Sequence, residues 1–305
     1  MQAFLFGAGF GVRLKPLTDF RPKVLVPVLG KPVIEHTIEK LALSGVSSFI
    51  INTHYQSEKL VSKLGDGVRW GTNIIYSHEP DILETGGGLK HAERLVESDT
   101  LIVYNGDIIC SIDINDVINF HRERKALATL VCASWCDPKQ ITIDHSGKIS
   151  DIRNTYLPVP PTHTFLGIHI VERSFFRYLE PDKKFSIIKT YLDLIADKQP
   201  IYAYTMQNGY WYDIGSVEQY KKVHSEMIGL QEEKSLIKPE SSHIVNPITT
   251  EGFVCLGENC FVGTGCKLRN VIAWDGVHIE PNSELDDVIL TDGIHVEGYH
   301  ANAIV

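Results

Sequence analysis

The chain has 305 residues, of which 43% are hydrophobic and 22% charged, and its formal net charge is −9. This length and hydrophobic content suit one large or two ordinary globular domains with a full core. The acidic balance excludes a general binder of nucleic acid or of anionic membranes, because either function needs a broad basic face.

Through the first two-thirds of the chain, short apolar runs alternate with helical patterns. The apolar runs predict strands over 3–6, 47–52, 72–77 and 100–105. Helical spacing predicts helices over 32–45, 56–67, 87–96 and 114–124, and then near 186–197 and 216–229. Residues 126–171 between them are rich in strand-like runs. Repeated β-α-β order predicts an α/β fold with a Rossmann-like, mostly parallel sheet flanked by helices.

The C-terminal region carries an internal repeat, in which segment 262–279 matches segment 279–296. The matched pairs are Leu268 with Leu285, Val271 with Val288, Asp275 with Asp292, and His278 with His295. Such a repeat of short flat sides predicts a β-helix whose coils bury their apolar residues against one another. We therefore expect a first domain over 1–230, a polar linker over 231–240 and a short left-handed β-helix over 241–305. The repeated histidines are interpreted as a structural rung.

The first strand is followed by a glycine-rich turn and then by cations. Such a turn points backbone N–H groups out of the carboxyl edge of a sheet, where α/β folds hold phosphates. The turn contains Gly7, Ala8, Gly9 and Gly11. A dinucleotide fingerprint would need GxGxxG and an acid where Asn52 and Thr53 stand.

The cations of this segment fit a nucleoside triphosphate better than a dinucleotide. Arg13 can fork onto the β and γ phosphates, and Lys23 can reach the α phosphate as a point charge. Lys15 and Arg21 are interpreted as solvated or steering charges.

Asp107 and Asp213 are candidate ligands of Mg²⁺. Asp107 follows the strand at 100–105, and Asp213 precedes the helix at 216–229. Each could also serve as a helix cap. Two carboxylates would supply the hard oxygen ligands that Mg²⁺ prefers, with phosphates and water completing the octahedron.

The stretch "GAGFGVRLKPLTDFRPKVLVPV" resembles the signature of the sugar-1-phosphate nucleotidylyltransferases. The residues in register with it are Arg13, Pro16, Leu17, Thr18, Pro22, Lys23 and Pro27. Val12 stands where the family usually has Thr or Ser. Further landmarks extend the resemblance over about residues 1–225, and they are "ETGGGL", "YNGDI", "FLGIHIV" and "GYWYDIGSVEQY".

The resemblance implies roles for the residues at these landmarks. Thr85, Gly86 and Gly87 would lie in the loop that receives the base and ribose, and Asp107 and Asp213 would hold Mg²⁺. The residues expected at the sugar phosphate are Asn105, Arg153, Gly167 and Lys189. The family's E-K-P tripeptide is absent, and Arg153 stands near its place.

The implied reaction joins a nucleoside triphosphate to a sugar-1-phosphate and releases pyrophosphate, with Arg13 and Lys23 as the catalytic cations. The motifs look most like N-acetylmuramate-1-phosphate uridylyltransferases, whereas the repeat-bearing tail favours mannose-1-phosphate guanylyltransferases. A nucleotide-sugar-binding regulatory subunit without activity is the alternative from another class.

The remaining expectations concern location and assembly. The cysteines are expected to be reduced and buried, the first residues do not form a signal peptide, and no apolar run is long enough for a membrane span. We therefore predict a cytoplasmic protein with no membrane or nucleic-acid partner. The apolar end of the β-helix is expected to join chains into a homo-oligomer.

Overall fold

The computed structural model describes residues 1–181, 183–229 and 235–305. The helices are α1 (Leu17–Phe20), α2 (Val33–Leu43), α3 (Ser57–Leu64), α4 (Glu84–His91), α5 (Ile114–Arg124), α6 (Ile187–Ala196) and α7 (Val217–Gly229). The strands up to residue 213 are β1 (Gln2–Phe6), β2 (Pro27–Val28), β3 (Lys31–Pro32), β4 (Ser48–Thr53), β5 (Asn73–His78), β6 (Thr100–Asn105), β7 (Ile108–Cys110), β8 (Ala128–Ala133), β9 (Ile141–Ile143), β10 (Ile149–Ile152), β11 (Thr164–Glu172), β12 (Ile201–Thr205) and β13 (Trp211–Asp213). The strands after residue 235 are β14 (Leu236–Ile237), β15 (His243–Ile244), β16 (Thr249–Leu256), β17 (Phe261–Val262), β18 (Lys267–Ala273), β19 (His278–Ile279), β20 (Glu284–Leu290), β21 (His295–Val296) and β22 (Tyr299–Ala301).

The chain forms two compact units that are each discontinuous in sequence. The first consists of Met1–Gly9 and His36–Trp211, and the second of Phe10–Glu35 and Tyr212–Val305. The motifs predict two domains that are each continuous in the chain, 1–230 and 241–305. This division stays a prediction. Of the predicted linker, residues 231–234 lie outside the described residues, and Leu236–Ile237 forms β14.

The first unit is built on a seven-stranded sheet in the order β12-β8-β11-β6-β1-β4-β5. Strand β1 is parallel to both of its neighbours, β4 and β6, and the strands within the pairs β4–β5 and β8–β12 are also parallel. Strand β11 is antiparallel to both β6 and β8. The strands are near-continuous apolar runs, as expected where both faces of a sheet are covered. Every residue of β8, for example, is buried. The predicted Rossmann-like, mostly parallel sheet is confirmed.

The second unit contains the coils of the left-handed β-helix. Two stacks of parallel strands form its sides, in the orders β14-β16-β18-β20-β22 and β15-β17-β19-β21. The register pairs Leu268 with Leu285 and Val271 with Val288, as the repeat predicts. The rings of His278 and His295 stack 4.6 Å apart with 6° between their planes, as expected of a structural rung.

Two further findings concern the chain as a whole. All of the cysteines are free thiols, and all are buried. Among the helices in the described ranges, none combines the length and the hydrophobicity that crossing a lipid bilayer requires.

Candidate functional site

In the first unit, the carboxyl ends of the parallel strands meet at one edge of the sheet. Phe6 lies beside Asn52 of β4 and beside Asn105 of β6. The glycine turn begins directly after Phe6, and the Asn52 Oδ1 atom accepts hydrogen bonds from the N–H groups of Gly7 (2.7 Å) and Ala8 (3.3 Å). The Gly9 N–H donates to the Gly7 carbonyl at 3.2 Å. These backbone donors, which the sequence predicts to face phosphate, therefore also have acceptors within the chain.

Asn52 and Glu79 form a buried polar network beneath this turn. The Asn52 Nδ2 atom donates to Glu79 Oε1 at 2.6 Å, and Glu79 Oε2 accepts from the Leu83 N–H at 3.0 Å. The side chain of Glu79 is almost fully buried, so the network rigidly links the ends of β4 and β5 to the start of α4. From the sequence alone, Asn52 is notable only as a position without an acid, and Glu79 is not singled out. The signal for both was their place at the ends of predicted strands.

The "ETGGGL" stretch is the first part of helix α4, which corrects the predicted loop. The N–H groups of Gly86 and Gly87 donate to the Phe185 carbonyl at 2.9 and 3.3 Å. The Thr85 hydroxyl accepts from the Ile187 N–H at 3.0 Å and so helps to begin α6. Nucleotide binding by Thr85, Gly86 and Gly87 stays a prediction. The hydrogen bonds of these residues in the structure join the start of α4 to the start of α6.

The structure brings Asn105 and Gly167 together. Gly167 has a φ of +73°, and a Cβ atom there would lie 2.6 Å from Asn105 Nδ2, so the position requires glycine. Asp107 lies half-buried in the turn after β6. Helix α5 is capped by Asp113, whose Oδ1 accepts from the Asn115 N–H at 2.9 Å. Asp107 is therefore not the cap of that helix.

Arg153 and Lys189 lie on exposed surface of the same unit. The Arg153 N–H donates to the Gln140 carbonyl at 2.7 Å. The Lys189 Nζ atom contacts Glu180 Oε1 at 2.7 Å. Hydrogen bonds from Lys183 and Lys189 lower the pKa of Glu180 to about 2, so this carboxylate keeps its charge and the Lys189 ammonium has a partner.

In the second unit, Arg13, Lys23 and Asp213 converge around Gly215. The Lys23 Nζ atom lies 3.8 Å from Asp213 Oδ1. A Cβ atom on Gly215 would lie 3.2 Å from Arg13 Nη2 and 3.4 Å from Asp213 Oδ1. Two cations from the signature segment thus lie near one carboxylate, a combination that would suit a polyanion with a divalent cation.

The local structure around these side chains explains the glycine at position 11 and identifies the residue that caps α7. Gly11 has a φ of +59°, and a Cβ atom there would lie 2.6 Å from Thr18 Cγ2, so Gly11 sets the turn that leads into Arg13. The Thr18 hydroxyl donates to the Gly11 carbonyl at 3.0 Å. Helix α7 is capped by Ser216, whose Oγ accepts from the Gln219 N–H at 3.3 Å. Asp213 therefore does not cap α7.

The interpretation of Arg21 as a solvated or steering charge is wrong. Its side chain is only 14% exposed and makes ion pairs with Asp275 and Asp292 of the β-helix. Lys15 does lie in solvent, with a side chain 57% exposed and an ion pair to Asp19.

A sequence profile described as "Nucleotidyl transferase" matches residues 2–228, which is most of the chain. The chain belongs to the nucleotidyl transferase family. The resemblance to sugar-1-phosphate nucleotidylyltransferases is thus confirmed at the level of the family. The profile covers both the glycine turn and the residues around Gly215.

Comparisons with individual proteins agree with this family. A mannose-1-phosphate guanylyltransferase of Mycobacterium tuberculosis is 26% identical over 300 residues, which are 94% of this chain and 83% of that protein. A UTP–glucose-1-phosphate uridylyltransferase of Synechocystis is 28% identical over 72% of this chain and 61% of its own length. A Bacillus anthracis structure assigned as a glucose-1-phosphate thymidylyltransferase has a TM-score of 0.66 and 23% identity, covering 77% of this chain and 96% of its own. This last likeness shows the fold.

Proposed function

We propose that the chain is a sugar-1-phosphate nucleotidylyltransferase of the mannose-1-phosphate guanylyltransferase kind. The observation that carries the proposal is the cluster of Arg13, Lys23 and Asp213 around Gly215, in a chain of the nucleotidyl transferase family. The Mycobacterium tuberculosis relative extends the similarity through the tail, which favours the guanylyltransferase alternative over the muramate uridylyltransferase interpretation. A cytoplasmic location is part of the same proposal.

In the proposed reaction, an oxygen of the sugar-1-phosphate attacks the α-phosphorus of the triphosphate. The bond between this oxygen and phosphorus forms as the α–β phosphoanhydride bond breaks, and pyrophosphate leaves with the electron pair. The chain needs no nucleophile of its own, because the attacking phosphate is already an anion. Arg13 would hold the β and γ phosphates and Lys23 the α phosphate, so that both align the reactants and neutralise charge.

Asp213 and Asp107 are the proposed carboxylate ligands of Mg²⁺. Both side chains are partly exposed, and neither caps the helix that follows it. Carboxylate oxygens are the hard ligands that Mg²⁺ prefers. Bound Mg²⁺ would polarise the phosphoryl oxygens of the triphosphate. Asn105 and Gly167, which the structure brings together, are proposed for the sugar phosphate; Arg153 and Lys189 stay predictions for that role.

A matrix of substrates tests the proposal. GTP, UTP, CTP and dTTP would each be paired with mannose-1-phosphate, glucose-1-phosphate and N-acetylmuramate-1-phosphate, and pyrophosphate release measured with Mg²⁺. We expect the highest kcat/KM with GTP and mannose-1-phosphate. A preference for UTP and N-acetylmuramate-1-phosphate would restore the uridylyltransferase interpretation. Nucleotide-sugar binding without turnover of any substrate pair would contradict the proposed enzyme and support the alternative of a regulatory subunit without activity.

A further inference from the structure

Within the second unit, Arg21 of the signature segment forms ion pairs with two aspartates of the β-helix. The Arg21 Nη2 atom contacts Asp275 Oδ2 at 2.6 Å, and its Nε atom contacts Asp292 Oδ2 at 2.7 Å. The guanidinium also lies over the ring of Trp274, 5.2 Å from the centroid. One arginine therefore bridges two successive coils and stacks on a buried aromatic side chain, which is a stronger arrangement than a single exposed ion pair.

The repeat explains why two carboxylates stand at this place. Asp275 and Asp292 occupy the same position in neighbouring coils, so their like charges lie close together and repel. Both are fixed by backbone donors, since Asp275 Oδ1 accepts from the Glu258 N–H at 2.8 Å and Asp292 Oδ1 from the Asp275 N–H at 3.2 Å. The pair forms a fixed anionic fork, and Arg21 is the cation that neutralises it.

Two further contacts hold the segment on the other side of Lys23. The Trp274 Nε1 atom donates to the Tyr220 hydroxyl at 3.0 Å, and that hydroxyl donates to the Pro27 carbonyl at 2.6 Å. The Leu29 N–H donates to His224 Nε2 at 3.2 Å. Trp274, Tyr220 and His224 are fully buried, so these anchors have little freedom to move.

We propose that Arg21 is a positioning residue, through which the β-helix holds Lys23 at the place where the reaction needs it. Lys23 is two residues from Arg21 and four from Pro27, and its side chain is only 13% exposed. The segment that carries the catalytic cation is thus clamped on both sides by the tail and α7. The proposal rests on the proposed function for its kinetic consequence and gives the β-helix a part in catalysis.

The test compares Arg21→Gln with Arg269→Gln. The control removes the same charge from another arginine–aspartate pair of the β-helix, because Arg269 contacts Asp286 of the next coil. We expect Arg21→Gln to lower kcat about tenfold or more with a smaller change in the nucleotide KM, because a shift of the clamped segment displaces Lys23. Arg269→Gln should keep the wild-type kcat, and Arg21→Lys should recover part of the loss.

A double-mutant cycle of Arg21→Gln with Asp292→Asn identifies the contact. The double variant should lose no more than the worse single variant. Hydrogen exchange gives a readout independent of activity, with faster exchange over residues 16–29 in Arg21→Gln and Asp292→Asn but not in Arg269→Gln. Equal kcat in the Arg21 and Arg269 variants of an active enzyme would overturn the inference alone. If the wild type turns over no substrate pair, the proposed function fails, and unchanged exchange over 16–29 would then overturn the clamp as well.

Discussion

At the scale of single residues, Asp107 and Asp213 are each proposed as a ligand of Mg²⁺. Replacing either with Asn removes a charged ligand of Mg²⁺ but keeps the size of the side chain. We expect Asp107→Asn and Asp213→Asn each to reduce turnover by about a hundredfold or more, because the transferring phosphate loses charge stabilisation. Pyrophosphate release across a Mg²⁺ titration measures this loss.

The matched control is Asp116→Asn, an exposed aspartate of α5 outside the proposed site. It should keep the wild-type rate. Folding should survive in all of these variants, because both candidate ligands are partly exposed. If Asp107→Asn or Asp213→Asn keeps a near wild-type rate at saturating Mg²⁺, that residue is not a ligand.

Lys23 and Arg13 are predicted to act at different stages of the reaction. Lys23 is assigned to the α phosphate, where charge shifts during transfer, whereas Arg13 is assigned to oxygens already charged in the ground state. An interaction that strengthens in the transition state raises kcat, and one that is constant changes KM. We therefore expect Lys23→Met to lower kcat more than Arg13→Met does. Steady-state kinetics with varied nucleotide separate the two, and equal losses confined to KM would contradict the assignment.

Arg21 shows which residue roles the sequence could not reveal. Its partners Asp275 and Asp292 are 254 and 271 residues away along the chain, so no local pattern links them. Arg13 and Lys23 could be proposed from the sequence because a long motif carries them. The structural roles of Asn52 and Glu79 were not predicted, because they depend on the meeting of separate strands.

At the scale of elements, strands and helices were largely predictable because their apolar periods differ. The clearest difference is α4, which begins at Glu84, three residues before the predicted start of that helix at Gly87. Each glycine within a helix costs about 1 kcal/mol relative to alanine, so local propensity argues against this helix. Tertiary packing nevertheless requires glycine in this helix. A Cβ atom on Gly88 would lie 2.5 Å from Glu79 Oε1 and 2.9 Å from Asn52 Nδ2.

The packing of α4 gives a stability prediction for Gly86→Ala. A Cβ atom on Gly86 would lie 2.2 Å from Phe185 Cε2, and the Gly86 N–H is bonded to the Phe185 carbonyl. The new methyl group must push this ring aside, so we expect a loss of about 1–3 kcal/mol in the free energy of unfolding. Chemical denaturation measures it.

Gly229→Ala at the end of α7 is the control, because a Cβ atom there meets nothing within 4 Å. It should leave stability unchanged or raise it slightly. Equal stability of the two variants would show that the ring of Phe185 yields without strain, and that packing does not require glycine at position 86.

At the scale of the whole molecule, the compact units do not follow the order of the sequence motifs. Residues 10–35 belong with 212–305, although the family profile joins them to the rest of residues 2–228. The sequence could predict the sheet and the β-helix separately, because each has its own period. It could not predict that the signature segment from Phe10 onward belongs to the β-helix unit, because buried anchors such as Trp274 and Tyr220 make that grouping.

The predicted homo-oligomer concerns the last coil of the β-helix. Strand β22 forms the edge of its five-stranded sheet, and Tyr299 on it is 68% exposed. An open edge with an exposed aromatic side chain favours pairing with a second chain, and we expect a symmetric dimer.

Light scattering at micromolar concentration should give a dimer for the wild type and a monomer for Tyr299→Glu. Leu43→Glu is the control, since Leu43 is 91% exposed on α2 of the other unit, and it should stay dimeric. A monomeric wild type would refute the dimer, and a dimeric Tyr299→Glu would show that the chains join elsewhere.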